Sequence, residues 1–190
     1  MGLDIHISTD NSVRSQIPDY YNEQDDYFNK HSLSRSFFNL MNRQTDVVQE
    51  LEIDQISKIA EVDLSSLYEM ESYPNEDYLE YQLEYAETEE EKQSILKQAE
   101  ADKLLLHENI NKVLQTINSL IEKLMKINNL SELLVPANFD SSNLSYFSDF
   151  EVDKKTRYID NNFGQDLRNF KRFLEFAKEH GTTSVWFEYG

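Results

Sequence analysis

Residues 3–8 read LDIHIS and residues 184–189 read SVWFEY, so the two ends of the chain carry the same pattern. In both stretches every second residue is apolar, and the residues between them are polar except for Trp186. The apolar residues are Leu3, Ile5 and Ile7 at one end and Val185, Phe187 and Tyr189 at the other. Strict alternation is typical of a strand with one buried face. We therefore predict that the two ends pair as neighbouring strands of one small sheet.

The middle of the chain begins with two clear signals for helix starts. Asn75 precedes Glu76 and Asp77, a pattern that favours an N-cap. Thr88 and Glu91 match a capping box, and no Gly or Pro follows before residue 128. An unbroken helix of that length would reach about 60 Å, which exceeds the roughly 42 Å expected for the diameter of a compact chain of this size. A helix of this length either protrudes or bends, and we expect a protruding helical hairpin with arms at 75–87 and 89–128.

A heptad seam runs through the second half of this helical stretch. Its apolar residues are spaced alternately four and three apart: Leu106, Ile110, Val113, Ile117, Leu120, Leu124 and Ile127. This spacing is typical of helices that pack side by side. The pattern leaves two arrangements open. The seam lies in a helical core of the chain itself, or it is completed by a second copy in a homodimer through the Leu106–Ile127 face.

Further helices are predicted from about residue 32 to 42, over 51–60 and 64–70, and over 164–179, where Leu167, Phe170 and Leu174 share a face. Residues 10–30 and most of 128–162 are predicted to be irregular, with a short strand at Phe147–Val152. No repeat or linker divides the chain. The predicted fold is a single α+β domain over residues 1–190, mainly helical, with a protruding hairpin and a small sheet that pairs the two ends.

The charge of the chain is strongly negative, and this limits the partners that it can bind. The sequence has 18 basic and 36 acidic residues, a net charge of −18, and residues 61–100 alone carry 13 acids against Lys92 and Lys97. Binding of nucleic acid needs clustered Lys and Arg, so we expect no nucleic-acid partner. A solvated helix face is the simpler interpretation of the acidic stretch. The alternative is an acidic docking surface for a basic protein partner, which would imitate the charge of nucleic acid.

No long apolar run and no signal-peptide pattern is present, so we expect a cytoplasmic protein without membrane association. The chain has no Cys, so it has no thiol nucleophile. It has only four Gly, too few to expect a glycine-rich phosphate-binding loop. The acidic residues from Asp149 to Asp160 lack the Gly that a calcium loop requires, because Lys154 stands there. We expect no metal or cofactor, and an enzyme is the least favoured class.

The best candidate site is the polar face of the two predicted strands. If their apolar faces pack on helices, four side chains project from the other side, and a face of the helix predicted after residue 31 borders them. The candidate ligand-binding residues are Asp4, His6, His31, Arg35, Phe38, Trp186 and Glu188. Such a set suits a nucleotide or another anionic ligand, because Arg binds anions and aromatic rings stack. The alternative is an ordinary solvent-facing sheet with Trp186 packed under a loop.

Three blocks of the sequence carry a resemblance. They are the opening MGLDI, the block HSLSRSFF at residues 31–38, and the ending VWFEYG at 185–190. Together they resemble small uncharacterised proteins of bacteria and their phages that open with MGLD. The resemblance implies a bacterial or phage setting and no particular activity.

These observations favour one function over another. The leading hypothesis is a non-enzymatic protein–protein interaction module that uses the acidic arm, the heptad face or both. The alternative is a protein that binds a nucleotide or another anionic small ligand at the strand face, in phage–host conflict.

Overall fold

A computed structural model describes residues 5–22, 26–41, 50–136, 144–148, 150 and 157–189 of the chain. The strands are β1 (Ile5–Thr9) and β2 (Val185–Tyr189). The helices are α1 (Asp26–His31), α2 (Arg35–Met41), α3 (Glu52–Ala60), α4 (Ser65–Glu69), α5 (Glu76–Tyr85), α6 (Glu89–Leu105), α7 (Ile110–Leu124), α8 (Leu130–Leu133) and α9 (Phe163–Glu179).

The two strands from opposite ends of the chain form one antiparallel sheet. Ile7 lies opposite Phe187, and His6 lies opposite Glu188. The apolar face of this sheet is buried, and the Phe187 ring packs 5.7 Å from the Phe170 ring of α9, measured between centroids. The predicted fold class, a mainly helical α+β chain whose ends pair as strands, is confirmed.

The heptad seam belongs to the chain's own core. On α7, Ile110, Val113, Ile117, Leu120 and Leu124 are all buried. This face packs against α9, whose phenylalanines fill the centre of the same apolar cluster. The seam is therefore already covered, and a homodimer through the Leu106–Ile127 face would have to open this core.

The predicted long helix over 89–128 is wrong, because it breaks between Leu105 and Ile110. At the break, the side-chain Nδ2 of Asn109 donates to the Val185 carbonyl oxygen at 2.8 Å, and the Val185 backbone amide donates to Asn109 Oδ1 at 2.8 Å. The Glu108 amide donates to Ser184 Oγ at 3.0 Å, and Glu108 has a φ of 55°. These bonds to β2 hold four residues in a turn that the local sequence does not specify.

The hairpin therefore consists of α5 and α6 rather than arms that reach residue 128. Its caps form as predicted: Asn75 Oδ1 accepts from the Tyr78 amide at 3.0 Å, and Thr88 and Glu91 make the capping box. Within α5 and α6, all of which is described, Ala99 is the one buried side chain. The hairpin thus stands outside the core, as expected.

Both ends of the hairpin are attached to β2. Tyr73, just before α5, stacks on Trp186 with ring centroids 4.1 Å apart and planes 11° apart. Asn109, just after α6, makes the paired hydrogen bonds to Val185. The strand therefore sets the position of a hairpin that packs little against anything else.

Other predicted elements differ in detail. Residues 10–30 are not wholly irregular, because they contain a 3-10 turn at Val13–Gln16 and the helix α1. The predicted strand at Phe147–Val152 is not formed at Phe147, which ends a 3-10 turn. Val152 and the acidic residues Asp149, Glu151 and Asp153 lie outside the described residues.

Replacing Phe187 should test whether the sheet is held by its apolar face. Phe187→Ala removes a ring that packs on Phe170 and Phe37, so we expect a loss of about 3–5 kcal/mol in the free energy of unfolding. Urea unfolding measures this loss. Glu188→Gln, on the exposed face of the same strand, is the control and should cost less than about 1 kcal/mol. Equal losses for the two variants would contradict the packing argument.

Candidate functional site

The polar face of the β1–β2 sheet forms the floor of an open cleft. The strand register places His6 opposite Glu188 and Ser8 opposite Trp186, so all four side chains project from one side. The Ser8 hydroxyl donates a hydrogen bond to the Glu188 carboxylate. The cleft has a volume of about 500 Å³. The sheet therefore supplies an imidazole, a carboxylate, a hydroxyl and an indole to one space.

The opposite wall of the cleft comes from the segment that follows β1. Ser12, Arg14, Ser15 and Tyr21 line it. The Arg14 guanidinium carbon lies 4.4 Å from the centre of the Phe173 ring and 5.8 Å from that of Tyr20. Such cation–π contacts hold the side chain in place without neutralising its charge. The wall therefore presents a fixed positive group.

Trp186 separates this cleft from a smaller one. Its ring stacks on Tyr73, and the second cleft, of about 320 Å³, is lined by residues 73–77 and 186–188. The Trp186 side chain is half-buried. Trp186 therefore packs against Tyr73 and also borders both clefts, and its role in binding a ligand stays a prediction.

The structure brings together only part of the predicted site. His6, Trp186 and Glu188 line the cleft, whereas Asp4 lies outside the described residues. Three further residues do not line it: Arg35 is exposed on α2, and His31 and Phe38 are buried.

His31, Arg35 and Phe38 share one face only if a single helix with 100° per residue runs through all three, but the chain ends α1 at His31 and starts α2 at Arg35. The reason is a buried bond across the core: the Ser34 amide donates to Asp166 Oδ1 at 2.8 Å. This anchor starts a new helix, so the assumed 100° spacing does not run from His31 to Phe38.

Sequence reasoning missed Arg14 and Tyr21, which line the cleft where Arg35 and Phe38 do not. Arg14 is one of two basic residues between positions 10 and 30, beside Lys30, in a stretch of acids and aromatics. The signal that could have identified Arg14 was an arginine among acids and aromatics in the segment that follows the first predicted strand. It lay in a segment that the sequence predicts as irregular.

His31 is buried in an aromatic cage. The Tyr20 hydroxyl and His31 Nδ1 form a hydrogen bond of 3.0 Å, and the Phe176 ring centre lies 4.9 Å from the imidazole. Burial lowers the pKa of His31 to about 4, and the positive charges of Arg14, Arg172 and Lys30 act in the same direction. His31 is therefore neutral near pH 7, and its role is to pack in the core.

Asp166 is the centre of a second buried polar group. Its carboxylate accepts hydrogen bonds from the backbone amide and hydroxyl of Ser34, from the Tyr146 hydroxyl at 2.6 Å and from the side-chain Nδ2 of Asn161 at 2.9 Å. Burial raises the pKa of Asp166 to about 6, against the opposite effect of these donors. One turn later, Asn169 donates to the Asn29 carbonyl at 2.9 Å. These bonds fix the α1–α2 connection on α9, which is a structural role.

The hairpin carries a second candidate surface, which we call the acidic hairpin surface. It consists of the α5 residues Tyr78, Tyr81 and Tyr85 and the neighbouring acids Glu80, Glu84 and Glu87. The three tyrosines are 61%, 55% and 67% exposed, and the rings of Tyr81 and Tyr85 lie 4.5 Å apart. Their spacing of three and four residues places them along one stripe of the helix. A stripe of exposed rings beside carboxylates is suited to contact with another protein.

Comparisons of the chain with known protein families, with curated proteins and with solved structures found no match. Among the described residues, no helix combines the length and the apolar composition needed to cross a bilayer. The same residues contain no group of three or more His, Cys, Asp or Glu side chains placed to hold a metal ion. The cleft and the acidic hairpin surface are therefore the two features that bear on function.

The two buried titratable groups should give opposite pH dependences of stability. The folded pKa of Asp166 is raised, so its contribution is present below pH 3.8 and is lost as the pH rises through about 6. The folded pKa of His31 is lowered, so its contribution is present above pH 6.5 and is lost as the pH falls through about 4. The two contributions therefore oppose each other across the same range of pH.

Two variants separate these contributions. As the pH rises through this range, the unfolding free energy of wild type minus that of Asp166→Asn should fall by up to about 3 kcal/mol. The corresponding difference for His31→Gln should rise by a similar amount. Urea unfolding across this range gives both values, and Asp160→Asn, at an exposed site, controls for the loss of a carboxyl group. Differences that do not change with pH for either variant would contradict the assignment.

Proposed function

We propose that the chain is a protein-interaction module whose acidic hairpin surface docks a partner with a basic surface. The observation that carries the proposal is the exposure of the hairpin. It contributes one buried side chain, Ala99, yet it holds three tyrosines that are each more than half exposed. Aromatic side chains are enriched at protein interfaces and often dominate their binding energy.

The charge of the hairpin indicates the chemistry of the partner. Between Glu76 and Leu105 there are ten acidic and three basic residues, a net charge of −7. Among the described residues, the hairpin acid that forms an ion pair is Glu89, with Lys92 at 3.4 Å. Most of this charge is therefore available to a basic surface, and it would speed association at low salt.

This charge pattern favours a particular class of partner. Proteins that bind nucleic acid carry basic surfaces matched to phosphate charge. An acidic hairpin with exposed rings offers such a surface a substitute for phosphates and bases. The resemblance to bacterial and phage proteins suits this role in the cytoplasm of a bacterium or an infected cell. A homodimer through the Leu106–Ile127 face is not part of the proposal, because those side chains already pack in the core.

The experiment starts from the full chain as bait in a bacterial lysate at low salt. The captured protein is purified, and its Kd is measured by calorimetry with wild type and two variants. One variant removes charge (Glu80→Gln, Glu84→Gln, Glu87→Gln), and the other removes rings (Tyr78→Ser, Tyr81→Ser, Tyr85→Ser). We expect each variant to weaken binding at least about tenfold, because both charge and aromatic contact contribute. The charge variant should also reduce the dependence of Kd on salt.

A charge-matched control uses exposed acids outside the hairpin: Glu61→Gln, Glu132→Gln and Glu179→Gln. This control should keep the wild-type Kd if the partner binds the acidic hairpin surface. A control that weakens binding as much as the hairpin charge variant would mean that the net charge of the chain, rather than this surface, attracts the partner. That result would refute the proposal.

A further inference from the structure

We infer that the strand-face cleft binds a small ligand that joins a planar aromatic ring to one anionic group, as a nucleoside monophosphate does. This site lies on the β1–β2 sheet and does not depend on the acidic hairpin surface. Its volume of about 500 Å³ falls in the range of roughly 300–1,000 Å³ that is usual for small-molecule sites.

Trp186 supplies the surface for the ring. One face of the indole is covered by Tyr73, at 4.1 Å between centroids and 11° between planes, while the side chain also lines the cleft. An indole held from behind keeps its orientation and loses little freedom when a ring stacks on it. Stacking on aromatic side chains is a common way to bind a base, and it tolerates different bases.

Arg14 supplies the charge for the anionic group. Its guanidinium lies over Phe173 and near Tyr20, and a side-chain hydrogen bond with Tyr20 also fixes its position. Within the described ranges, no carboxylate forms an ion pair with Arg14. A guanidinium whose edge donors are not taken by a carboxylate is suited to a phosphate or carboxylate group. Ser12 and Ser15 line the same wall, and the Ser15 hydroxyl donates to the Ser12 carbonyl oxygen at 2.8 Å.

The remaining residues limit the ligand to one anionic group. Glu188 lies in the cleft with its carboxylate bonded to the Ser8 hydroxyl. It would repel a second negative group, and it can accept hydrogen bonds from ligand hydroxyl or amino groups. The net charge of −18 adds to this effect, because it disfavours polyanions across the whole surface. A monophosphate that carries sugar hydroxyl groups meets each of these conditions.

Trp186 is the only tryptophan of the chain, so its fluorescence reports on the cleft directly. The full chain is titrated with AMP, GMP, CMP and UMP, with adenosine, and with inorganic phosphate. We expect at least one monophosphate to quench the fluorescence with a Kd below about 1 mM. Adenosine should bind more weakly than AMP, because it lacks the group that Arg14 recognises. Phosphate alone should not quench.

Variants of Arg14 and Trp186 test the contacts with the phosphate group and with the base. The affinity of each variant for AMP and for adenosine is measured by calorimetry. Arg14→Gln should weaken AMP binding about tenfold and leave adenosine binding unchanged, since only the phosphate contact is lost. Trp186→Leu should weaken both ligands. The controls are Arg35→Gln, an exposed arginine on α2, and Tyr85→Leu, an exposed aromatic on the hairpin, and both should bind as wild type does. The melting temperature of each unliganded variant verifies that it is folded.

Three results would overturn the inference: no monophosphate binds the wild type up to about 1 mM, inorganic phosphate binds as tightly as AMP, or Arg35→Gln weakens AMP as much as Arg14→Gln does. The first needs no variant and stands even if Arg14→Gln fails to fold. Because Tyr85 belongs to the acidic hairpin surface, unchanged AMP binding in Tyr85→Leu separates this site from the docking function.

Discussion

The antiparallel pairing of β1 with β2 is the contact on which the other features depend. The two strands are about 180 residues apart in sequence, and an isolated two-stranded sheet is marginal in water. It persists here because Phe187 packs on Phe170 of α9 and Asn109 completes the backbone hydrogen bonds of Val185. The pairing then creates the floor of the cleft on one face and the anchor of the hairpin along β2.

Features set by neighbouring residues could be predicted from the sequence. Alternation gave the two strands, and the capping residues Asn75 and Thr88 gave the starts of α5 and α6. The position of the break before α7 could not be predicted, because Leu106–Asn109 contains no Gly or Pro. It is imposed by the bonds of Glu108 and Asn109 to Ser184 and Val185, about 76 residues away. Tertiary hydrogen bonds here override a continuous helical pattern.

The candidate site also combines residues that are positioned by the neighbouring sequence with residues that are positioned by tertiary contacts. His6, Trp186 and Glu188 follow from strand alternation alone, so their common face could be predicted. The arginine that lines the cleft could not be predicted, because the position of Arg35 depends on where α2 begins. That boundary is set by the bond between Ser34 and Asp166, which lie 132 residues apart. Arg35 is consequently exposed, and Arg14 reaches the cleft from a segment without periodicity.

Trp186 is the point at which the cleft and the hairpin meet. Its ring stacks on Tyr73 at the start of the hairpin and also lines the cleft. The second attachment of the hairpin, Asn109, bonds to Val185, the residue directly before Trp186. A ligand that stacks on the indole acts on Trp186, and a partner that docks on the hairpin acts on an element attached to Trp186 and to the neighbouring Val185. Any coupling between them would be equal in both directions, because linkage of binding free energies is reciprocal. Its size would depend on whether the Tyr73–Trp186 stack differs between the two bound states, since equal contacts in both states transmit nothing.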